Sequence, residues 1–178
     1  MLTRILTLVT GGARSGKSSH ALALAERCPG RRRYFIATAE ALDDEMRERI
    51  TRHRAERAAA YETIEEPVRI AAVLETLEGR ADTVVIDCLT LWLSNLMGRG
   101  LGDEAIAQEA EQLVSALARA SFSTIVVTDE VGSGIVPVNP LARRFRDRLG
   151  WINQKVARTA DQVILMAAGY PLSLKPLR

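Results

Sequence analysis

Residues Gly11–Ser18 read GGARSGKS and fit the phosphate-loop pattern G-x-x-x-x-G-K-[ST] at every fixed position. They follow the apolar run 5–9 and precede the helix-like stretch 18–27, so the sequence supplies the strand, loop and helix that the pattern requires. Glycines let the backbone curl until several N–H groups point at a phosphate, and the N-terminus of the following helix adds partial positive charge. An ordinary glycine-rich turn is the alternative, but it does not account for this context. The motif therefore predicts that the chain binds a nucleoside triphosphate.

Two side chains of the loop have predicted chemical roles. Lys17 is expected to reach the β- and γ-phosphates, and the Ser18 hydroxyl is expected to ligate Mg²⁺. Lysine is rare in this chain, which uses arginine for most of its 24 basic residues, so the ammonium at position 17 is consistent with a need for a compact cation. The predicted nucleotide-binding residues of the loop are Gly11, Gly12, Ala13, Arg14, Ser15, Gly16, Lys17 and Ser18.

Strand-like and helix-length segments alternate along the rest of the chain. The strand-like segments are nearly continuous in apolarity, which is typical of parallel strands covered on both faces. They lie at 33–37, 83–87, 124–128 and 162–166. The helix-length segments lie at 43–59, 68–77, 103–120 and 141–160. The sequence therefore predicts an α/β fold, a single P-loop NTPase-like domain over 1–178 whose mostly parallel sheet is flanked by helices on both faces.

Ligands of such sheets lie at the carboxyl ends of the strands. This rule predicts one edge that carries Gly11–Ser18, Thr38, Asp87 and the pair Asp129–Glu130. Asp87 closes an apolar strand, as a magnesium-binding acid does, but an aspartate also commonly ends a strand in a turn. The same two interpretations hold for Asp129–Glu130. Glu65 lies near a strand-to-helix junction, where a solvated acid is the ordinary explanation.

One face of the predicted helix 43–59 leads from apolar residues into a histidine. Met46, Ile50, His53 and Arg57 follow one another at helical spacing. From spacing alone, a partly buried histidine at the end of a core face is more common than a catalytic one. The spacing therefore leaves both interpretations of His53 open.

Composition argues against several other classes of protein. A net charge of +2 and 4% aromatic residues give little basis for nucleic-acid binding. No apolar run approaches the length of a membrane span and no signal-peptide pattern is present, so the expected compartment is the cytoplasm. Cys28 and Cys88 show no metal-ligand spacing and are expected to be free thiols.

Taken together, these segments resemble the bifunctional adenosylcobinamide kinase / adenosylcobinamide-phosphate guanylyltransferase family of cobalamin biosynthesis. The resemblance extends in order over nearly the whole chain and is much more specific than a phosphate loop alone. The matching blocks are 10–18, 34–39, 43–50 with His53 and Arg54, 87–96, 130–137, and Asn153–Gln154.

The resemblance implies two reactions. A nucleoside triphosphate, ATP or GTP, first phosphorylates adenosylcobinamide. GTP then transfers GMP to the adenosylcobinamide phosphate through a covalent guanylyl-histidine, which gives adenosyl-GDP-cobinamide. The nucleophile of the family falls at His53, and the resemblance also implies Mg²⁺ as cofactor and a homo-oligomer, a trimer. A simple P-loop kinase of a small alcohol, without the transferase step, is the alternative function.

The resemblance also assigns nucleotide contacts outside the loop. Arg54 and Arg57 resemble residues that contact the phosphates, whereas Glu65 and Asp87 fall where acidic residues hold the guanine, with magnesium binding as the alternative for Asp87. Further nucleotide contacts are expected at the end of the second strand, from Thr38 and Ala39.

Two residues depart from the family pattern. Asp129 stands where the family commonly has asparagine, and its additional negative charge is expected to alter metal binding. Tyr61 stands where tryptophan is usual, which is a modest change of shape.

Overall fold

The computed structural model describes residues 4–40 and 60–177, which form one seven-stranded sheet and the helices that cover it. The strands are β1 Leu6–Gly11, β2 Arg33–Ala37, β3 Glu62–Glu65, β4 Thr83–Asp87, β5 Ser123–Val127, β6 Gln162–Ala167 and β7 Tyr170–Lys175. The helices of the described ranges are α1 Lys17–Arg27, α2 Ile70–Thr76, α3 Leu89–Gly98, α4 Asp103–Arg119 and α5 Pro140–Thr159. The predicted helix 43–59 lies outside the described residues, and the extent of the domain over 1–178 stays a prediction.

The strand order across the sheet is β3-β2-β4-β5-β1-β6-β7. Every neighbouring pair is parallel except β6 and β7, which are antiparallel. The prediction of a mostly parallel sheet is therefore confirmed. Since β1 lies between β5 and β6, the strand that leads into the phosphate loop is near the middle of the sheet.

Helices cover both faces of this sheet, as predicted. Val84 and Ile86 of β4 point to the face packed by α2–α5, and Val85 between them points to the face packed by α1. All three side chains are at most 1% exposed. Burial of a valine or isoleucine side chain contributes about 1.5–3 kcal/mol, so strands that are apolar on both faces are stable only in such a covered sheet.

Local hydrogen bonds explain where two of the helices begin. Asn139 caps α5, because its side chain accepts from the backbone N–H groups of Leu141 and Ala142, and Pro140 needs no partner for an N–H. The helix predicted from position 68 begins at Ile70 instead, because the Glu66 carboxylate accepts from the N–H groups at 68 and 69 and holds them in a turn. None of the helices in the described ranges has the length and apolarity needed to cross a membrane.

Candidate functional site

The parallel register brings the predicted site residues to the same edge of the sheet. Ala37 at the end of β2 pairs with Glu65 of β3 on one side and with Asp87 of β4 on the other. Asp87 in turn pairs with Val127, the last residue of β5. The phosphate loop leaves β1 at this edge, one strand beyond β5. The carboxyl edge of the sheet therefore carries, in spatial order, the acidic residues of β3 and β4, the exit of β5 and the phosphate loop.

Glycine is required at two positions of the phosphate loop. Gly11 has φ +152° and Gly16 has φ +91°, values that side chains rarely allow. A Cβ atom on Gly11 would also clash with the carbonyl oxygen of Met166 on β6. These two glycines let the chain turn sharply out of β1 and enter α1 at Lys17.

Backbone hydrogen bonds hold the loop from three directions. Within the loop, Ser15 N donates to Gly12 O at 3.3 Å. Gly169 N, in the turn between β6 and β7, donates to Ser15 O at 3.1 Å, and Glu130 N, after β5, donates to Gly11 O at 3.0 Å. The outer residues 12–14 are exposed. The loop is thus preformed on its sheet side and open on the side that a phosphate would approach.

Lys17 is the cation of this loop, and it lies almost buried at the start of α1, 9% exposed. Its Nζ donates to Gly12 O at 2.6 Å and lies 2.6 Å from Asp129 Oδ1. A buried ammonium is stable only when paired and hydrogen-bonded, and these two contacts meet that requirement. The cation assigned to the phosphates is therefore paired with a carboxylate in this structure.

Hydrogen bonds to its backbone N–H and carbonyl groups hold Asp129 in place. Its N–H donates to Thr90 Oγ1 at 2.8 Å, and its carbonyl accepts from Asn153 Nδ2 at 3.1 Å. The same asparagine accepts from Thr128 Oγ1 at 2.8 Å. Residues of α3 and α5 thus hold the carboxylate beside the loop. Sequence reasoning named Asn153 only within a matching block and did not single out Thr90.

Thr38 connects β2 to β4 at the edge. Its hydroxyl donates to Cys88 O at 2.8 Å and accepts from Cys88 N at 2.7 Å, and its carbonyl accepts from Asn95 Nδ2 at 2.7 Å. The residue is fully buried. In this arrangement the Thr38 side chain positions the segment that follows Asp87, and its predicted nucleotide contact stays a prediction. Ala39, the next residue, is half-buried at the same edge.

The role of Asn95 was also missed, although a signal was present. Asn95 is a polar residue within the mostly apolar segment 89–97, and it is only 8% exposed. Its Nδ2 also donates to Pro67 O at 3.1 Å, so it ties the exits of β2 and β3 together. A buried amide needs such partners, and its position in an apolar helix could have indicated this role.

Cys88 directly follows Asp87 at the end of β4, and its side chain is buried. Burial raises the pKa of its thiol to about 12, and the negative charges of Asp87 and, more weakly, Asp129 add to this shift. The thiol therefore stays protonated at neutral pH and is not a nucleophile. Asp87 pairs with Val127 across the sheet, two residues before Asp129, so the two acids lie on the same part of the edge.

Of the two histidines of the chain, His20 lies within the described residues and His53 does not. His20 lies in α1, and its Nε2 is shielded from solvent and has no hydrogen-bond partner within the described parts of the chain. Burial, together with the charge of Arg27, lowers the pKa of His20. His53, Arg54 and Arg57 lie outside the described residues, so their predicted roles stay predictions.

The predicted metal ligands are all oxygen donors at the edge. Ser18 follows Lys17 in the first turn of α1, and Asp87 ends β4. Over residues 4–40 and 60–177, His, Cys, Asp and Glu side chains form no cluster of three that could hold a metal ion by itself.

A solved structure confirms the fold class. The KaiC-like protein of the archaeon Pyrococcus horikoshii superposes with a TM-score of 0.51 over 90% of this chain and 71% of that one. The sequence identity is 18%, so the similarity concerns the fold alone.

Comparison of sequences gives much more specific relatives. The chain is 42% identical to the bifunctional adenosylcobalamin biosynthesis protein CobP of Pseudomonas aeruginosa over 94% of its own length and 96% of the relative. It is 39% identical to CobU of Salmonella typhimurium, which has the same bifunctional description, over 96% of its own length and all of the relative. CobU of Escherichia coli is 37% identical over 96% of this chain and all of the relative.

The resemblance noted from the sequence blocks is thereby confirmed over nearly the full length. The family model for cobinamide kinase / cobinamide phosphate guanyltransferase matches residues 7–174, from β1 to β7. The phosphate loop, the edge that holds Asp87 and Asp129, and both faces of the sheet all lie within this match. The chain belongs to the cobinamide kinase / cobinamide phosphate guanyltransferase family.

Proposed function

We propose that this protein catalyses two successive reactions on adenosylcobinamide. It first transfers the γ-phosphoryl group of ATP or GTP to the hydroxyl group of the aminopropanol arm. It then transfers GMP from GTP to the new phosphate, which gives adenosyl-GDP-cobinamide and pyrophosphate. The observation that carries this proposal is a preformed phosphate loop with a buried lysine in a chain of this bifunctional family.

The kinase step depends on the phosphate loop. The acceptor hydroxyl oxygen bonds to the γ-phosphorus, the bond from that phosphorus to the β,γ-bridging oxygen breaks so that the nucleoside diphosphate leaves, and the hydroxyl proton is released to solvent. The backbone N–H groups of the loop and the N-terminus of α1 hold the phosphates, while Lys17 balances the charge that develops on them. Since Lys17 Nζ lies 2.6 Å from Asp129 Oδ1 in this structure, it must turn from that carboxylate toward the nucleotide.

The transferase step depends on His53. A neutral imidazole nitrogen bonds to the α-phosphorus of GTP, and pyrophosphate leaves. The phosphate of adenosylcobinamide phosphate then bonds to the same phosphorus and releases the histidine. An unperturbed imidazole, with a pKa of about 6.5, is largely the free base at neutral pH. Arg54 and Arg57 are proposed to neutralise the phosphate charge during both transfers.

Magnesium fits this site through the chemistry of its donors. The Ser18 hydroxyl and the Asp87 carboxylate are hard oxygen ligands, and Asp129, two residues beyond the strand partner of Asp87, adds a second carboxylate at this edge. When bound, the ion would neutralise charge on the phosphates. We assign Ser18 and Asp87 as the residues that would hold it.

Asp87→Asn tests whether this acid binds guanine or magnesium. If Asp87 holds guanine together with Glu65, the variant should bind GTP several-fold more weakly and bind ATP unchanged, because one acceptor for the guanine N–H groups has become a donor. If it holds magnesium, both nucleotides should bind more weakly, and a higher magnesium concentration should restore part of the affinity. Titration of each nucleotide at two magnesium concentrations distinguishes these cases. Unchanged affinity in all four titrations would show that Asp87 binds neither guanine nor magnesium and only ends β4.

The function as a whole is tested by following two labels. With γ-³²P-labelled nucleotide, label should pass to adenosylcobinamide. With α-³²P-GTP and Mg²⁺, the protein itself should become labelled with a bond that survives base and is cleaved by acid, as expected for a phosphoramidate. Addition of adenosylcobinamide phosphate should then discharge this label into adenosyl-GDP-cobinamide. Phosphorylation without any protein label would support the simple kinase, and absence of both reactions would contradict the proposal.

The trimer implied by the resemblance stays a prediction.

A further inference from the structure

The Lys17–Asp129 pair places a negative charge where the phosphates must bind. Lys17 is almost buried, while the side chain of Asp129 is 28% exposed and its carboxylate faces the loop. A nucleotide that uses Lys17 must separate this pair and bring its own negative charge close to the carboxylate. Asp129 therefore opposes the binding of a nucleotide that arrives without a cation.

The carboxylate cannot simply move away. Its backbone is held by Thr90 from α3 and by Asn153 from α5, and the adjacent Glu130 N–H is bonded to Gly11 O at the end of β1. These contacts leave only the side-chain torsions of Asp129 to change. Its carboxylate must therefore remain near the loop when Lys17 turns toward a phosphate, and it then needs a different positive partner.

We infer that Asp129 makes nucleotide binding depend on a divalent cation. In this structure its carboxylate pairs with Lys17. With a metal-bound nucleotide it exchanges Lys17 for the cation, so that Lys17 becomes available to the phosphates without leaving an unpaired carboxylate beside them. With a metal-free nucleotide no such exchange is possible, and the cost of separating the pair remains. The inference rests on the proposed function only in placing the nucleotide at the phosphate loop.

The direction of the effect distinguishes this role from a simpler one. If Asp129 were a metal ligand alone, its removal would weaken binding of the metal-bound nucleotide and leave the metal-free nucleotide unaffected. If it were only a structural partner of Lys17, its removal would change both affinities in the same direction. The exchange predicts instead that metal-free nucleotide binds more tightly once the carboxylate is neutralised.

The experiment measures the dissociation constants of GTP and ATP by calorimetry, with EDTA and with Mg²⁺, for wild type and Asp129→Asn. We expect metal-free nucleotide to bind about tenfold more tightly to Asp129→Asn, a change that corresponds to about 1.4 kcal/mol. Binding in Mg²⁺ should be unchanged or weaker, so the ratio of metal-free to magnesium dissociation constants should fall at least about tenfold. Asp129→Glu, which keeps the charge, should retain most of the wild-type ratio.

Glu111→Gln is the matched control. It neutralises a carboxylate that also pairs with a lysine, Lys155, but that pair joins α4 to α5 outside the edge. Its nucleotide affinities should equal those of wild type under both conditions.

Two results would overturn the inference. If wild type binds nucleotide but Asp129→Asn shows the same ratio of metal-free to magnesium dissociation constants, the inference is wrong and the proposed function is unaffected. Failure of wild type to bind any nucleotide, with or without metal, would overturn the proposed function together with it. Circular dichroism identifies a misfolded variant, and in that case Asp129→Ser is measured in its place, with the same expected tightening.

Discussion

Lys17→Ala should lower the rate of adenosylcobinamide phosphorylation by a factor of about 10² to 10³. Lys17 supplies the cation of the phosphate loop, and removal of one preorganised electrostatic partner of the transferring group has an effect of this size. Lys17→Arg should not restore the rate, because the guanidinium is too large for a position where the ammonium lies 2.6 Å from both Gly12 O and Asp129 Oδ1. The measurement is kcat/KM for transfer from γ-³²P-labelled nucleotide.

The control for this experiment is Lys155→Ala. Lys155 lies on α5, pairs with Glu111 and lies 4.7 Å from the ring centre of Trp151, so its removal changes the same type of side chain at a distance from the phosphate loop. Its phosphorylation rate should equal that of wild type. A folded Lys17→Ala protein with wild-type kcat/KM would contradict the role of the loop in catalysis.

His53→Ala should abolish both the covalent GMP adduct and the transfer of GMP. The imidazole is proposed to form the bond to the α-phosphorus, and an alanine offers no nucleophile in its place. Phosphorylation of adenosylcobinamide should continue, since it is a direct transfer that needs the phosphate loop and not a histidine. His53→Asn, which preserves more polarity and volume, should show the same separation of the two activities.

His20 provides the matched control, since it is the other histidine of the chain. His20 lies outside the block that matches the family's nucleophile, and its Nε2 is shielded from solvent, so His20→Asn should keep the adduct. Mass spectrometry of GTP-treated wild type should locate the added GMP on the peptide that contains His53. Persistence of the adduct in both His53 variants would exclude the proposed mechanism and favour a histidine that only packs against the core.

The sequence predicted best those elements that are buried on both sides. β2, β4, β5 and β6 are nearly continuous apolar runs, and their observed bounds lie within one residue of the predicted ones. The helix α3 was not predicted, because six of the nine residues of segment 89–97 are apolar and the segment therefore gives only a weak amphipathic pattern. The edge strand β7 was also missed, since it contains Pro171 and leaves Tyr170 and Leu172 exposed.

For the site, the sequence predicted the edge of the sheet but not the order of the strands along it. The rule that carboxyl ends share one edge correctly brought Thr38, Asp87 and Asp129 together with the phosphate loop. It could not indicate which acid faces Lys17, because that depends on β5 lying between β4 and β1. The polarity of Asn95 could have indicated a buried hydrogen-bonding role, but the partners of Thr38 and Asn95 could not be derived, since they lie far away in the chain.

The central position of β1 has a consequence for how this protein folds. β1 is the first of the described strands in the chain, yet its partners β5 and β6 begin at residues 123 and 162. The bond from Leu6 N to the Asp161 carboxylate alone spans 155 residues. Such distant pairing is slow, because a long loop must close before any contact compensates for the lost entropy. During synthesis, β1 therefore cannot pair with both of its neighbours until nearly the whole chain has been made. A nascent fragment that ends before β6 lacks one of the two strands that hold β1, and with it the hydrogen bond from Gly169 N to Ser15 O that holds the phosphate loop.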